Sequence, residues 1–167
     1  SPVGKNRLEA FSDGVLAIII TIMVLELHAP ESADVHSLLA LSPLVISYLI
    51  SFLLVGIYWN NHHHMLHAVH HVNGAVLWAN LHLLFWLSLV PFATTWMGET
   101  SFASWPVALY GIIQLMAGVA YYILARQLVY LHGAESTFGK ALGRDVKGKT
   151  SVVIYAVAVP VAFLNSW

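Results

Sequence analysis

The sequence contains no cysteine, and only 9% of its 167 residues are charged. The absence of cysteine excludes disulfides, thiolate nucleophiles and cysteine-ligated metals. Ordinary soluble domains carry about 25% charged residues, so this low share, beside 59% hydrophobic residues, excludes a typical soluble fold. We therefore predict an all-α protein that crosses the lipid bilayer several times, because helices satisfy their backbone hydrogen bonds within lipid.

Motifs of catalytic chemistry are also scarce. His-Glu-x-x-His, typical of zinc proteases, and Gly-x-Ser-x-Gly, typical of serine hydrolases, do not occur in the sequence. The Thr-Val-Gly-Tyr-Gly selectivity filter of the usual potassium channels is missing as well. We expect no enzymatic activity and no cofactor.

Five hydrophobic segments are long enough to span a bilayer, and we treat residues 1–167 as one transmembrane domain. Their approximate bounds are 8–27, 37–60, 75–97, 105–130 and 151–167. Pro43 lies in the early turns of the second segment, where proline is tolerated, and Pro91 predicts a kink near one end of the third. Because the sequence stops after the fifth segment, we expect a sixth span in the complete protein.

If the spans alternate in direction, all lysines and arginines fall on one side of the membrane. Lys5 and Arg7 precede the first span, and the other five basic residues lie at the end of the fourth span or in the loop after it. Lysine and arginine are enriched on the cytoplasmic side of membrane proteins, so the amino terminus is predicted to be cytoplasmic.

The first span, from Arg7 to Glu26, begins with ionisable residues and continues as one of the most apolar stretches of the chain. Between Asp13 and Glu26 only Thr21 is polar, and this run would rise only about 18 Å as a helix. A helix that crosses a core of about 30 Å must therefore extend back to include Ser12 and Asp13. Ionisable side chains at that depth are costly unless they face protein or water, which indicates a functional role.

Two series of residues repeat every seven positions along this span. The first series comprises Arg7, Gly14, Thr21 and His28, and the second comprises Phe11, Ile18 and Leu25. Alternating spacings of four and three are typical of the seam of a left-handed helical bundle. Such a seam is either a dry helix contact or the lining of a central pore, where several copies would present rings of Ile18, Thr21 and Leu25.

Histidines are concentrated between His62 and His71, after the second predicted span. If this segment is helical, His63, His67 and either His70 or His71 share a face at the spacing of zinc or haem ligands. No carboxylate lies in the segment, so a hydrogen-bonded structural role for one or two of these histidines is the alternative. Within the third span, His82 requires a buried partner or a water-filled cavity, and we predict a hydrogen bond to another helix.

The motif Arg7-x-x-x-Phe11-Ser12-Asp13 resembles that of prokaryotic members of the transmembrane-protein-175 family of potassium channels. Supporting matches in the second and third spans are Trp59-x-x-His62, Asn80 and Val90-Pro91-Phe92. The resemblance implies a homotetramer of six-span subunits in the prokaryotic cell membrane, with the first helices around a central pore and no P-loop filter. The implied function is a leak-like channel that is selective for potassium ions.

The resemblance also implies roles for individual residues. Hydrogen-bonded contacts within and between subunits are implied for Arg7, Phe11, Ser12, Asp13, Trp59 and His62. The pore constriction is implied to consist of Ile18, Thr21 and Leu25, with Ile22 as an alternative middle layer. A hydrophobic ring of this kind gates by dewetting when it is narrow.

Two other functional classes are compatible with the residues alone. A histidine-ligated haem or metal protein would use the cluster between His62 and His71. A proton-coupled transporter would use Asp13, Glu26 and His82, and it would differ from a channel by saturable uptake coupled to a proton gradient.

Overall fold

Six α-helices follow one another along residues 4–133, the part of the chain that the computed structural model describes. They are α1 (Lys5–Leu25), α2 (Val35–Ala40), α3 (Ser42–His67), α4 (Gly74–Ser88), α5 (Val90–Glu99) and α6 (Ser104–His132). Four stretches are long and apolar enough to cross a membrane: α1, α3, α4 together with α5, and α6. The all-α membrane architecture is thus confirmed for the first four predicted spans, while the fifth, at 151–167, lies outside the described residues.

The prediction that the second span begins near residue 37 is wrong. The Asp34 carboxylate accepts a hydrogen bond from the backbone amide of Ser37 at 2.7 Å and thereby caps the separate short helix α2. Hydrogen bonds from the Ser32 hydroxyl and from that amide hold the pKa of Asp34 below its ordinary value. The chain then turns at Leu41, and α3 begins at Ser42 with Pro43 in its first turn.

The third span is broken where proline predicted a kink. The α4 helix ends at Ser88, and α5 begins at Val90 with Pro91 in its first turn. Proline is tolerated there because the N–H groups of the first turn have no acceptor within the helix. At the other end of the span, the side chain of Asn73 accepts from the amide of Val76 at 3.0 Å and caps α4.

The core lies where α1 crosses α3, α4 and α5, and where α4 and α5 pack on α6. The buried side of α1 carries Leu8, Leu16, Ile19 and Met23. The buried face of α6 is rich in alanine, with Ala117, Ala120 and Ala125, which lets the neighbouring helices approach closely. The result is a subunit in which α1 has one buried face and one exposed face.

Gly98, near the end of α5, lies close against α3. A Cβ atom at this position would lie 2.5 Å from the Ser47 Oγ and 2.7 Å from the Leu44 Cα, both on α3. The Leu44 Cα is backbone and has no room to move aside without shifting α3. The glycine is therefore required by the contact between α3 and α5.

Gly98→Ala is expected to destabilise the subunit by about 1–3 kcal/mol, the usual cost of overpacking. The measurement is the midpoint of thermal unfolding of the purified protein in detergent. Gly74→Ala is the matched control, because no atom lies within 4 Å of its added Cβ and the effect should stay within about 0.5 kcal/mol. Equal midpoints for the two variants would show that the contact between α3 and α5 tolerates a methyl group.

Candidate functional site

A buried chain of hydrogen bonds joins α1, α4 and α3. The Ser12 hydroxyl donates to the Leu8 carbonyl at 2.8 Å and accepts from the Asn80 Nδ2 at 2.9 Å. The Asn80 Oδ1 lies 2.7 Å from the His62 Nε2. Because an amide oxygen only accepts, the proton of neutral His62 is assigned to Nε2. Ser12, Asn80 and His62 are all buried, so this chain fixes three helices to one another in the interior of the subunit.

The same turn of α1 makes a second polar contact with α3. The indole Nε1 of Trp59 donates to the Asp13 Oδ1 at 3.0 Å. Asp13 is half-buried and Trp59 is exposed along one side. Asp13 therefore contacts Trp59 of α3 directly, whereas Ser12 is joined through Asn80 to His62, three positions further along α3.

Two further contacts join α1 to α3 closer to the start of α1. The Glu9 Oε1 lies 3.4 Å from the His63 Nδ1, and the Lys5 Nζ donates to the His67 carbonyl at 3.5 Å. Positions on α1 rise in steps of four while their partners on α3 fall in steps of four, which defines an antiparallel register. The contacts of Glu9 and Lys5 are at least partly exposed to solvent and contribute little stability by themselves.

Sequence reasoning missed Glu9 and Lys5 as members of this contact. The signal was present, because Lys5, Glu9 and Asp13 are polar residues spaced four apart on one face of a helix. Their partners, His63 and His67, lie on α3 beyond residue 60. Because the second span was predicted to end at residue 60, these contacts were not predicted.

The predicted constriction residues lie on the opposite, exposed side of α1. Ile18 is 58% exposed and Leu25 is 75% exposed, while Thr21 and Ile22 are exposed between them. The Thr21 hydroxyl donates to the Ile18 carbonyl at 2.9 Å, which leaves its oxygen lone pairs free for another partner. The four side chains therefore form one stripe that the other residues of the described part, 4–133, leave uncovered.

Arg7 and Phe11 belong to the same exposed side of α1 as this stripe. Phe11 is largely exposed, and the guanidinium of Arg7 forms no hydrogen bond or ion pair with any residue between positions 4 and 133. The motif is thus divided within the subunit. Ser12 and Asp13 face α3 and α4, whereas Arg7 and Phe11 face away from them.

A second buried polar group, which sequence reasoning did not identify, joins α3, α5 and α6. The Ser51 Oγ lies 2.6 Å from the Thr94 Oγ1 and 2.9 Å from the Tyr110 hydroxyl. The Thr94 hydroxyl donates to the Val90 carbonyl at 2.6 Å, so the chain of donors runs from Tyr110 through Ser51 to Thr94. This group holds together the helices behind α1.

The histidine cluster does not form the predicted single face. The α3 helix ends at His67 with Ala68 as its cap, so the helical condition for including His71 is not met. The rings of His63 and His67 stack with centroids 6.1 Å apart, while His71 lies against His132 of α6 at 4.6 Å. Within residues 4–133, no group of three or more potential ligands has an arrangement that could hold a metal ion.

The partner predicted for His82 is also different. The indole Nε1 of Trp86 donates to the His82 Nε2 at 3.0 Å, and both residues belong to α4. Within residues 4–133, the His82 side chain thus bonds to a residue of its own helix, four positions away, and the expected hydrogen bond to another helix is not seen. In neutral His82 the proton accordingly lies on Nδ1.

Comparison with known proteins gives consistent matches. The family model for the endosomal/lysosomal potassium channel TMEM175 matches residues 7–91. A potassium channel of Chryseobacterium sp. (strain P1-3) is 52% identical over 159 residues, which cover 95% of this chain and 83% of that protein. A potassium channel of Streptomyces collinus is 38% identical over 99 residues, which cover 57% of this chain and 48% of that protein.

A solved structure shares the fold as well. The crystal structure of a lysosomal potassium-selective channel TMEM175 homolog from Chamaesiphon minutus superposes with a TM-score of 0.83 and 30% sequence identity. The superposition covers 98% of this chain and 88% of that chain. These relatives are named as channels rather than enzymes, which confirms the expectation that the protein is not an enzyme, and the chain is an integral membrane protein that belongs to the TMEM175 family.

Proposed function

We propose that the protein is a leak-like cation channel, selective for potassium ions, in which four copies place α1 around a central pore. The observation that carries the proposal is the division of α1 into two faces. One face is fixed to α3 and α4 by the contacts of Ser12 and Asp13, and the other leaves the Ile18 to Leu25 stripe uncovered. The relatives named as potassium channels support this assignment.

The composition of the exposed face favours a pore over a lipid contact. A lipid-facing stripe needs no polar residue, yet this seam includes Arg7, Gly14 and Thr21 between its apolar members. Around a four-fold axis, Ile18 and Leu25 would form apolar rings that close the path by dewetting. Thr21, or Ile22 in its place, would form the layer between them, and the free lone pairs of Thr21 would face a partly dehydrated ion.

The orientation of the subunit follows from its charged ends. The start of α1 lies near the end of α3 through Lys5 and His67, and the end of α6 lies there too through His132 and the His70 amide. Lys5, Arg7 and Arg126, the basic residues of the described part, therefore share one end of the bundle. By the positive-inside rule this end, with the amino terminus, is cytoplasmic in a prokaryotic cell membrane.

Cation flux into proteoliposomes tests the proposed function. Purified protein should carry potassium passively, faster than sodium, without a proton gradient and without saturation at high potassium concentration. Liposomes without protein provide the background. Flux that requires a proton gradient would indicate a transporter, and equal potassium and sodium fluxes would contradict potassium selectivity.

Asp13→Ala is expected to reduce the fraction of tetramer while the channels that still assemble keep their potassium preference. The substitution leaves the Trp59 N–H without its acceptor and frees the end of α1 that carries Arg7, at about 1–3 kcal/mol per subunit. Arg7 lies six residues away, about 240° around the helix, so it does not pair with Asp13 in its own helix. Its partner would come from a neighbouring subunit.

Size-exclusion chromatography with light scattering measures the tetramer fraction, and proteoliposome flux measures selectivity. Glu9→Gln is the control, because the contact of Glu9 with His63 is partly exposed to solvent and its loss should hardly change assembly. A variant at Asp13 that assembles normally and loses only its selectivity would place Asp13 in the ion path instead.

A further inference from the structure

Three side chains follow one another along one face of the last part of α6. Tyr122, Arg126 and Tyr130 are spaced four residues apart and are all exposed, Tyr130 to 88%. The Arg126 Nη1 donates to the Tyr122 hydroxyl at 3.2 Å, and the Arg126 Cζ lies 5.8 Å from the centre of the Tyr122 ring. These contacts hold the guanidinium along the outer surface of the helix.

The length of α6 sets the depth of this face in the membrane. Trp105, which is 73% exposed, lies at the other end of the helix and is suited to a membrane interface. Arg126 follows Trp105 by 21 residues, a rise of about 32 Å, which matches a hydrocarbon core of about 30 Å. With Trp105 at one boundary, Arg126 reaches the headgroup phosphates of the other.

Within the part of the chain that the structure describes, the guanidinium of Arg126 has no compensating negative charge. Of its five N–H donors, one is used by Tyr122, and no carboxylate of residues 4–133 lies within ion-pair distance of it. A planar guanidinium with free parallel donors matches the geometry of a phosphate group. Tyr122 and Tyr130 flank the guanidinium, and tyrosine rings are enriched at the level of the lipid headgroups.

We propose that Tyr122, Arg126 and Tyr130 bind the phosphodiester headgroup of an anionic phospholipid at the membrane boundary where α6 ends. Arg126 supplies the charge and bidentate hydrogen bonds to the phosphate. Tyr122 orients the guanidinium, and Tyr130 covers the headgroup from the far side. The ligand class is anionic because a zwitterionic lipid brings its own cation, which reduces the gain from Arg126.

Native mass spectrometry of the detergent-solubilised protein tests the proposal by counting bound lipids during titration with phosphatidylglycerol or phosphatidylcholine. The wild type should bind phosphatidylglycerol about fivefold more tightly, the effect expected of one basic residue at an anionic headgroup. Arg126→Gln should bind both lipids equally. Arg126→Lys keeps the charge but loses the planar donors, and its preference should fall between the two.

Lys147→Gln is the matched control, because it removes one positive charge from the sequence after α6 without changing Tyr122, Arg126 or Tyr130. It should keep the full preference for phosphatidylglycerol. The proposal is overturned if the wild type shows no preference, if Arg126→Gln retains it, or if Lys147→Gln loses it equally. The readout is a lipid count and not an ion flux, so its failure is distinct from a failure of the channel proposal.

Discussion

Asn80→Leu is expected to lower the free energy of unfolding by about 2–4 kcal/mol. Leucine has the same number and branching of side-chain heavy atoms as asparagine, so the substitution leaves no cavity and the loss is chiefly polar in origin. The His62 Nε2–H is left as a buried donor without an acceptor, at about 1–3 kcal/mol. The bond from Asn80 to Ser12 is lost as well, and interhelical hydrogen bonds in membrane proteins contribute about 0.6–1.7 kcal/mol each.

Equilibrium unfolding in mixed micelles measures this loss. Asn61→Leu is the matched control, since Asn61 is exposed on α3 and its side chain makes no hydrogen bond within residues 4–133. Its effect should remain within about 0.5 kcal/mol. Equal stability of the Asn80 and Asn61 variants would show that the buried chain is not a structural contact.

The double variant His62→Leu with Asn80→Leu sharpens the test. Replacing both partners by apolar groups of similar shape removes the unsatisfied donor, and such exchanges are often close to neutral. The double variant should therefore be more stable than Asn80→Leu with His62 intact. If the two losses simply add, His62 and Asn80 are not coupled.

Within residues 4–133, the number and type of spans could be predicted because a bilayer core leaves the chain few solutions. Long apolar segments must become helices there, and Pro91 marks the break between α4 and α5 because it cannot continue the hydrogen-bond ladder. The two errors at the ends of α3 arise from local signals. At the start of α3, Asp34 caps a separate short helix. At its end, the cap residue is Ala68, and no glycine or proline marks the position in the sequence.

The candidate site was only partly accessible from the sequence for a related reason. Ser12 and Asp13 are conspicuous because polar residues inside an apolar span need partners. That Asn80 joins Ser12 to His62 depends on the relative positions of α1, α3 and α4, which no local pattern specifies. The contact of Glu9 with His63 depends in the same way on the antiparallel register of α1 and α3.

Ile18→Asn is expected to raise potassium flux about tenfold or more in proteoliposomes. An apolar ring excludes water from a narrow path, whereas four carboxamides at the same level would hold water and shorten the dehydrated passage. A decrease of about 1.4 kcal/mol in the barrier is sufficient for a tenfold increase in rate. The preference for potassium over sodium should decrease at the same time, because ions would cross the ring with more of their water.

Ile57→Asn on α3 separates this effect from a general loss of packing. The two isoleucines are similarly exposed in the subunit, at 58% for Ile18 and 55% for Ile57, so the same substitution places an equally uncovered amide on each helix. Only the α1 variant should raise the flux. If both variants leave the flux unchanged, the stripe on α1 faces lipid and the pore assignment is wrong.

Potassium flux also shows which layer of the constriction is narrowest. Asparagine at Ile22 and at Leu25, tested beside Ile18→Asn, should raise the flux most at the layer where the path is narrowest, because dewetting depends steeply on radius. Thr21→Val removes the only hydroxyl of the stripe with little change in shape, so it should reduce the preference for potassium over sodium without opening the path. If Thr21→Val keeps the preference, the coordinating oxygens belong to another part of α1.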